Sequence, residues 1–140
     1  MLMISKSFID TNILIYSNDK AYPEKQNKSK EIIRELFKNG NGVISTQILH
    51  EYFVISTQKL KLSVRDVRNQ IDNLLDFEVI DIDVPLIKEA IDCSILDQIS
   101  YWDALVVAAA QKGLCATILT EDLNHGQIIK GVKIENIFKK

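Results

Sequence analysis

The chain has 140 residues, one domain's worth, and at that length folding buries roughly 68–70% of the unfolded surface, so neither disulfides nor a structural metal is required. It is 46% apolar and 26% charged, with 5 Gly and 2 Pro, which excludes collagen-like, disulfide-framework and disordered chains. Lys plus Arg (17) against Asp plus Glu (19) gives a net charge of −2, which excludes a uniformly basic coat but not a local basic patch. Cys93 and Cys115 have no metal-ligand spacing, and a reducing compartment is expected. The start, Met1 to Ile4, is broken by Lys6 and Asp10 and is too short for a signal sequence. The longest apolar run, Ala104 to Ala110, is seven residues, far below the ~18–20 of a membrane span. A soluble, cytoplasmic protein with no membrane partner is the expectation.

Short apolar runs alternate with longer amphipathic stretches, the pattern of helices around a parallel sheet. Met3 to Ile9 reads as a first strand ending at Asp10, followed by a short helix over Ile13 to Ser17. Pro23 suits a helix start and Gly40 the position just past its end, with Ile32, Ile33, Leu36 and Phe37 as the apolar stripe. Gly42 to Ser45 is a second strand, and Thr46 can cap a helix striped by Ile48, Leu49, Tyr52, Phe53 and Ile55. Ser63 and Asp66 have capping-box spacing and open a helix to about Leu75. A strand over Phe77 to Ile82, a helix from Pro85 through Ile91 and a helix over Ser100 to Lys112 follow. Strands at Thr117 to Leu119 and Val132 to Ile134 complete the chain. There is no repeat, low-complexity tract or linker, so residues 1–140 form one domain, a three-layer α/β/α sandwich with a central, mainly parallel sheet.

The acids then stand out by position. Ligands of open parallel sheets bind outside the carboxyl ends of the strands. Asp10 directly follows Ser7-Phe8-Ile9, and Asp122 follows Ala116 to Leu119 after a short step, so both leave the same sheet edge. The plainer reading of either is a cap on the turn or helix that follows. Glu51 lies at the margin of its helix's apolar stripe, with no Lys or Arg three or four residues away to neutralise it. Asp103 is the lone acid of a helix that is apolar nearly all round, and Ser100-x-x-Asp103 also forms a capping box. Brought within ~4 Å, each like-charge pair would repel by about 4 kcal/mol at an effective dielectric near 20. Such a cluster needs protons or cations, and carboxylates without Cys or an obvious His favour Mg²⁺ or Mn²⁺. Phosphate-ester hydrolysis is the natural chemistry of that combination.

Phe8-Ile9-Asp10-Thr11-Asn12-Ile13-Leu14, Ser45-Thr46-Gln47-Ile48-Leu49-His50-Glu51, Ser100-Tyr101-Trp102-Asp103-Ala104 and Leu119-Thr120-Glu121-Asp122-Leu123 occur in that order. With them the chain resembles the PIN-domain ribonucleases, and more narrowly the VapC-type toxins of toxin–antitoxin pairs, over essentially its whole length. The resemblance implies a site of Asp10, Glu51, Asp103 and Asp122, with Thr11, Asn12 and Thr120 in support. It implies Asp10 and Asp103 as principal Mg²⁺ or Mn²⁺ ligands, with Glu51 and Asp122 as second-site or water-mediated ones. Thr120 would orient Asp10 or a coordinated water. The implied reaction is hydrolysis of an RNA phosphodiester by an activated water, and the implied partners are RNA, a cognate antitoxin and a second copy in a homodimer. The chain departs from some relatives in having Asn136-Ile137-Phe138 where they have Asn-Pro-Phe, and Asp97 could be an extra ligand or merely a loop or capping residue.

Lys20, Lys25, Lys28 and Lys30, and Lys59, Lys61, Arg65 and Arg68, form two basic clusters that could track a phosphate backbone or simply be solvated helix surface. Tyr16, Tyr22, Tyr52 and Tyr101 could stack bases, Tyr52 being better placed for the core. His125 could touch phosphate or serve its turn, and His50 faces the polar side of its helix. Leu60 and Leu62 suit an interface or a core edge. Two other readings compete: a small-molecule phosphohydrolase, disfavoured because Asn12 stands where an Asp-x-Asp nucleophile needs its second acid, and an RNA-binding module that no longer cleaves.

Overall fold

The computed structural model describes residues 5–139, so the first residues of the expected opening strand lie outside them. The elements run β1 (Lys6–Ile9), α1 (Thr11–Tyr16), α2 (Pro23–Asn39), β2 (Gly42–Ser45), α3 (Thr46–Gln58), α4 (Val64–Leu74), β3 (Glu78–Ile80), α5 (Val84–Leu96), α6 (Tyr101–Lys112), β4 (Cys115–Leu119), β5 (Ile128–Ile129) and β6 (Val132–Glu135). Six strands form one sheet in the order β3-β2-β1-β4-β6-β5, parallel except for β5 against β6. This is the mainly parallel α/β architecture expected from the sequence. The buried core includes Phe8 and Ile9 of β1, Val43 and Ile44 of β2 and Ile118 of β4, as inner strands of a parallel sheet require.

Helix α6 packs on α5 and over β2, β4 and β6, whereas α1, α2, α3 and α4 pack on one another and reach the sheet through α2 and α3. Every residue of α6 from Ala104 to Ala110 is buried, which accounts for a helix apolar nearly all round. Chain direction matters most at β1. The chain leaves β1 for β2 and then β3 on one side, and returns to β4 on the other. The two strands flanking this reversal, β1 and β4, pair in parallel with Ile9 opposite Leu119. Their carboxyl ends are therefore the crevice in which open α/β sheets bind ligands.

Several ends differ from the sequence expectation for local reasons. Helix α1 starts at Thr11 rather than Ile13, because the Asp10 carboxylate caps it by accepting the Thr11 N–H at 2.7 Å. Thr46 is the first helical residue of α3, behind Ser45, and its hydroxyl accepts the Ile82 N–H at 3.1 Å instead of capping. Strand β3 stops at Ile80 because its neighbour β2 ends at Ser45, the residue paired with Ile80. Asp83 caps α5, which runs on to Leu96, and Asp97 stands at its C-terminal end. Ser63 and Ser100 cap α4 and α6 by accepting the Asp66 and Asp103 N–H groups, each at 3.1 Å. Strand β5 was not foreseen: two residues give no period to read.

Two glycines are fixed by geometry. Gly40 ends α2 at φ +68°, with its N–H turned back to the Leu36 and Phe37 carbonyls. At Gly42 a Cβ would lie 2.7 Å from the Phe77 ring, so β2 approaches that ring too closely for any side chain. Both cysteines are buried free thiols, and burial pushes Cys93 up to about 11 and Cys115 up to about 12. Among the described residues no helix is long and apolar enough to cross a membrane.

Candidate active site

The two strand ends deliver Asp10 and Thr120 side by side. The Asp10 N–H continues the ladder to the Leu119 carbonyl at 3.0 Å, and the Thr120 N–H reaches Glu135 on β6 at 3.1 Å. The first turn of α1 adds Thr11 and Asn12, the second turn of α3 brings Glu51, and the first turn of α6 brings Asp103. Asp10, Thr11, Asn12, Glu51, Asp103 and Asp122 all line one cleft of about 370 Å³, with Thr120 buried behind it. The residues named from the sequence thus converge on one place, drawn from segments up to 112 positions apart.

Asp10 is the innermost of the acids, only 6% exposed. Its Oδ1 accepts the Thr11 N–H and its Oδ2 accepts the Thr120 hydroxyl at 2.8 Å. Burial nevertheless dominates, and with Asp122 and Glu51 close by the carboxyl is pushed up to about 7. Asp122 is also raised, by desolvation and by the charges of Asp103 and Glu121. Glu51 is held by the Thr11 hydroxyl at 2.7 Å. Asn12 spans the cleft floor: its amide donates to Asp122 at 3.2 Å and Thr120 at 3.3 Å, while its carbonyl accepts the Glu121 N–H at 3.2 Å.

Among the described residues no three carboxylates, imidazoles or thiols close into a ready-made ligand cage. The donor set still suits a hard divalent cation: all oxygen, anionic, open to solvent on one side, with like charge that a cation would relieve. Asp10, Glu51, Asp103 and Asp122 are the groups that would hold it.

Other candidates separate cleanly. Asp97 sits at the end of α5, accepts from the Cys93 thiol at 3.3 Å and lies 3.9 Å from Lys130, away from the cleft. His125 serves its turn, its Nδ1 accepting the Asn136 N–H at 3.0 Å. Tyr52 is buried and bonded to Asn18 and Gln70. Lys59 and Tyr16 line the cleft, whereas Lys25 is engaged with Glu121 at 2.5 Å. The sequence reading missed Glu121, Gln47 and Asp19, which also line the cleft. Glu121 could have been suspected from its place between Thr120 and Asp122; the other two carry no sequence signal. Beside the cleft, and sharing Gln47, Glu51, Ile55 and Trp102 with it, lies a hollow of about 750 Å³ lined mainly by apolar side chains.

The sequence matches the PIN domain family over residues 7–130. Among solved structures, a toxin–antitoxin complex from Klebsiella pneumoniae contains a chain that matches with a TM-score of 0.72 at 17% identity, over 96% of this chain and 100% of that one. A chain of the DNA-bound VapBC from Salmonella typhimurium matches at 0.68 and 19%, over 96% of this chain and 99% of that one. A VapC toxin of Mycobacterium tuberculosis described as cleaving the sarcin–ricin loop matches at 0.65 and 16%, over 84% and 92% respectively. Identities this low speak for a shared fold. No curated protein sequence matches the chain significantly. With a family match that spans most of its length, the chain belongs to the PIN-domain family.

Proposed function

We propose that the protein is a Mg²⁺- or Mn²⁺-dependent endoribonuclease and the toxin of a type II toxin–antitoxin pair. The observation that carries this reading is the convergence of Asp10, Glu51, Asp103 and Asp122 on one cleft, where burial and mutual repulsion hold the Asp10 carboxyl near 7. Like charges gathered in one cleft favour a cation that relieves their repulsion.

Asp10 and Asp103 are the principal candidate ligands, with Glu51 and Asp122 completing the anionic ring. A divalent cation held there supplies charge neutralisation at a phosphodiester and activation of water. The chain's own residues do the rest. Thr120 and the Thr11 N–H fix both Asp10 oxygens, Thr11 holds Glu51, and Asn12 sets Asp122 against Asp10. Held this way, the carboxylates need little rearrangement when charge develops on the phosphate. Lys59 at the cleft wall is the group to meet an incoming backbone.

The toxin assignment is supported by the neighbours described as toxin–antitoxin complexes. A protein partner, the cognate antitoxin or a second copy in a homodimer, is supported by the apolar hollow beside the cleft, where Trp102 is 63% exposed.

The test is incubation of purified, partner-free protein with total cellular RNA in Mg²⁺, Mn²⁺ or EDTA, beside Asp103→Asn. Cation-dependent discrete fragments absent from the variant support the nuclease. Folded protein that binds RNA but cuts nothing with either cation would replace it with a non-cleaving RNA-binding module.

A further inference from the structure

Of the four acids, Asp122 alone sits outside the backbone hydrogen-bond network of the described residues. It follows the last residues of β4 on an irregular stretch, and among the described residues no backbone–backbone hydrogen bond involves 121–123. Inside the cleft, side chains hold it: Asn12 takes its carboxylate and the Glu121 N–H, and the Thr120 hydroxyl takes its own N–H at 3.0 Å.

The neighbouring residue of this turn is gripped as well. The Glu121 side chain accepts the Tyr16 hydroxyl at 2.7 Å and the Lys25 ammonium at 2.5 Å. Lys25 in turn lies 4.8 Å from the Tyr16 ring centroid, 5.8 Å from Tyr22 and 5.2 Å from Phe138. Tyr16 packs edge-on against both Tyr22 and Phe138. Isolated surface ion pairs contribute little, but this one is about two-thirds covered, takes a second donor and has its cation among three aromatic faces. The elements so joined are α1, α2, the Asp122 turn and the C-terminal residues around Phe138.

We propose that Lys25 is a positioning residue: with Tyr16 and Phe138 it clamps Glu121 and thereby fixes the Asp122 carboxylate in the cleft. This rests on the ribonuclease reading for its kinetic consequence. The alternative for Lys25 is a direct contact to the RNA backbone, and the two differ in what they do to turnover and to binding.

The experiment compares wild type with Lys25→Met, Lys25→Arg, Glu121→Gln and the Lys25→Met/Glu121→Gln double variant, the last with wild-type net charge. Met keeps the aliphatic stem among the rings, so packing is largely spared. With the clamp, Lys25→Met and Glu121→Gln each lower kcat about 10-fold with KM and RNA Kd within about twofold, since small misplacements in a site cost up to about 10²-fold. The double variant is no worse than Lys25→Met, and Lys25→Arg stays within about threefold of wild type. A raised KM and Kd at unchanged kcat, with the log–log salt slope of binding lowered by about 1, would make Lys25 a phosphate contact and overturn the proposal. Recovery of activity in the charge-neutral double variant would overturn it too, as would single variants indistinguishable from wild type.

Amide hydrogen exchange provides a readout independent of cleavage. The clamp requires the Glu121 and Asp122 amides to exchange faster in Lys25→Met while those within α6 do not change. Unaltered exchange at these amides overturns the clamp. Failure of wild type to cut RNA overturns the nuclease reading alone.

Discussion

The Thr120 hydroxyl donates to Asp10 Oδ2 at 2.8 Å while accepting the Asp122 N–H at 3.0 Å, so one oxygen ties two acids that are 112 positions apart in the chain. Thr120→Val keeps the shape and removes both bonds, together with the one from the Asn12 amide. It leaves a buried carboxylate short of a donor, a loss of about 1–3 kcal/mol, and the expected results are a lower Tm and at least a 10-fold loss of RNA cleavage. Thr120→Ser, which keeps the hydroxyl, should retain most of the activity. A Val variant as active as wild type would remove Thr120 from the site.

Asp10 gives a pH prediction with a definite sign. Its carboxyl is at about 7 in the fold against an ordinary value near 4, so between these values the folded protein binds more protons than the unfolded chain. The neutral form stabilises the fold below pH ~4, and this contribution is lost as pH rises through about 7. A shift of about three units corresponds to something on the order of 4 kcal/mol. Asp10→Asn, permanently uncharged, should therefore melt higher than wild type in EDTA at pH 8, by an amount equivalent to roughly 1–3 kcal/mol after its imperfect hydrogen bonds are counted. The gap should close near pH 4. Thermal denaturation across pH 4–8 reads it directly, and a constant gap would contradict the assignment.

Divalent cations should act on the same balance. Mg²⁺ or Mn²⁺ is expected to raise the wild-type Tm in proportion to the logarithm of its concentration above Kd, because only the folded chain assembles the four acids. At about 100 times Kd the gain approaches 2.7 kcal/mol. Asp103→Asn should blunt that shift, abolish cleavage and leave RNA binding within a few-fold. A cation-induced shift of the same size in wild type and Asp103→Asn would place the ion elsewhere.

Gly42→Ala probes the scaffold rather than the chemistry. The added Cβ meets the Phe77 ring at 2.7 Å, so the ring or strand β2 must move, at an expected cost of about 1–3 kcal/mol in denaturant titrations. Cleavage at a temperature where the variant is still folded should be nearly unchanged, since Gly42 stands at the start of β2, away from the strand ends that carry the acids.

Much of this was legible in the chain itself, for identifiable reasons. The β2 boundaries were readable because Gly42 to Ser45 is a short buried run bounded by Gly40 and a helix start, and the α2 ends because Pro23 and Gly40 mark them chemically. The acids were readable because each stands where a strand ends or in the first two turns of a helix against an apolar background. The full length of α5 was not, because Ile95 and Leu96 continue the apolar pattern yet lie 70% exposed, so no amphipathic edge marks where it stops. The Lys25–Glu121 pairing joins residues 96 positions apart and depends on how α2 lies across the sheet end, which no local pattern encodes. Gln47 and Asp19 reach the cleft for similar reasons of packing.

The reversal of strand order at β1 also has a bearing on biosynthesis. Asp10, Thr11, Asn12 and Glu51 are translated early, but their partners Thr120 and Asp122 follow β4, which must slot in beside β1 before the cleft exists. A nascent chain that stalls before Cys115 lacks Asp122 and has no fourth strand to bring Thr120 beside Asp10. Any activity of this cleft therefore waits until β4 and the turn that carries Asp122 have left the ribosome.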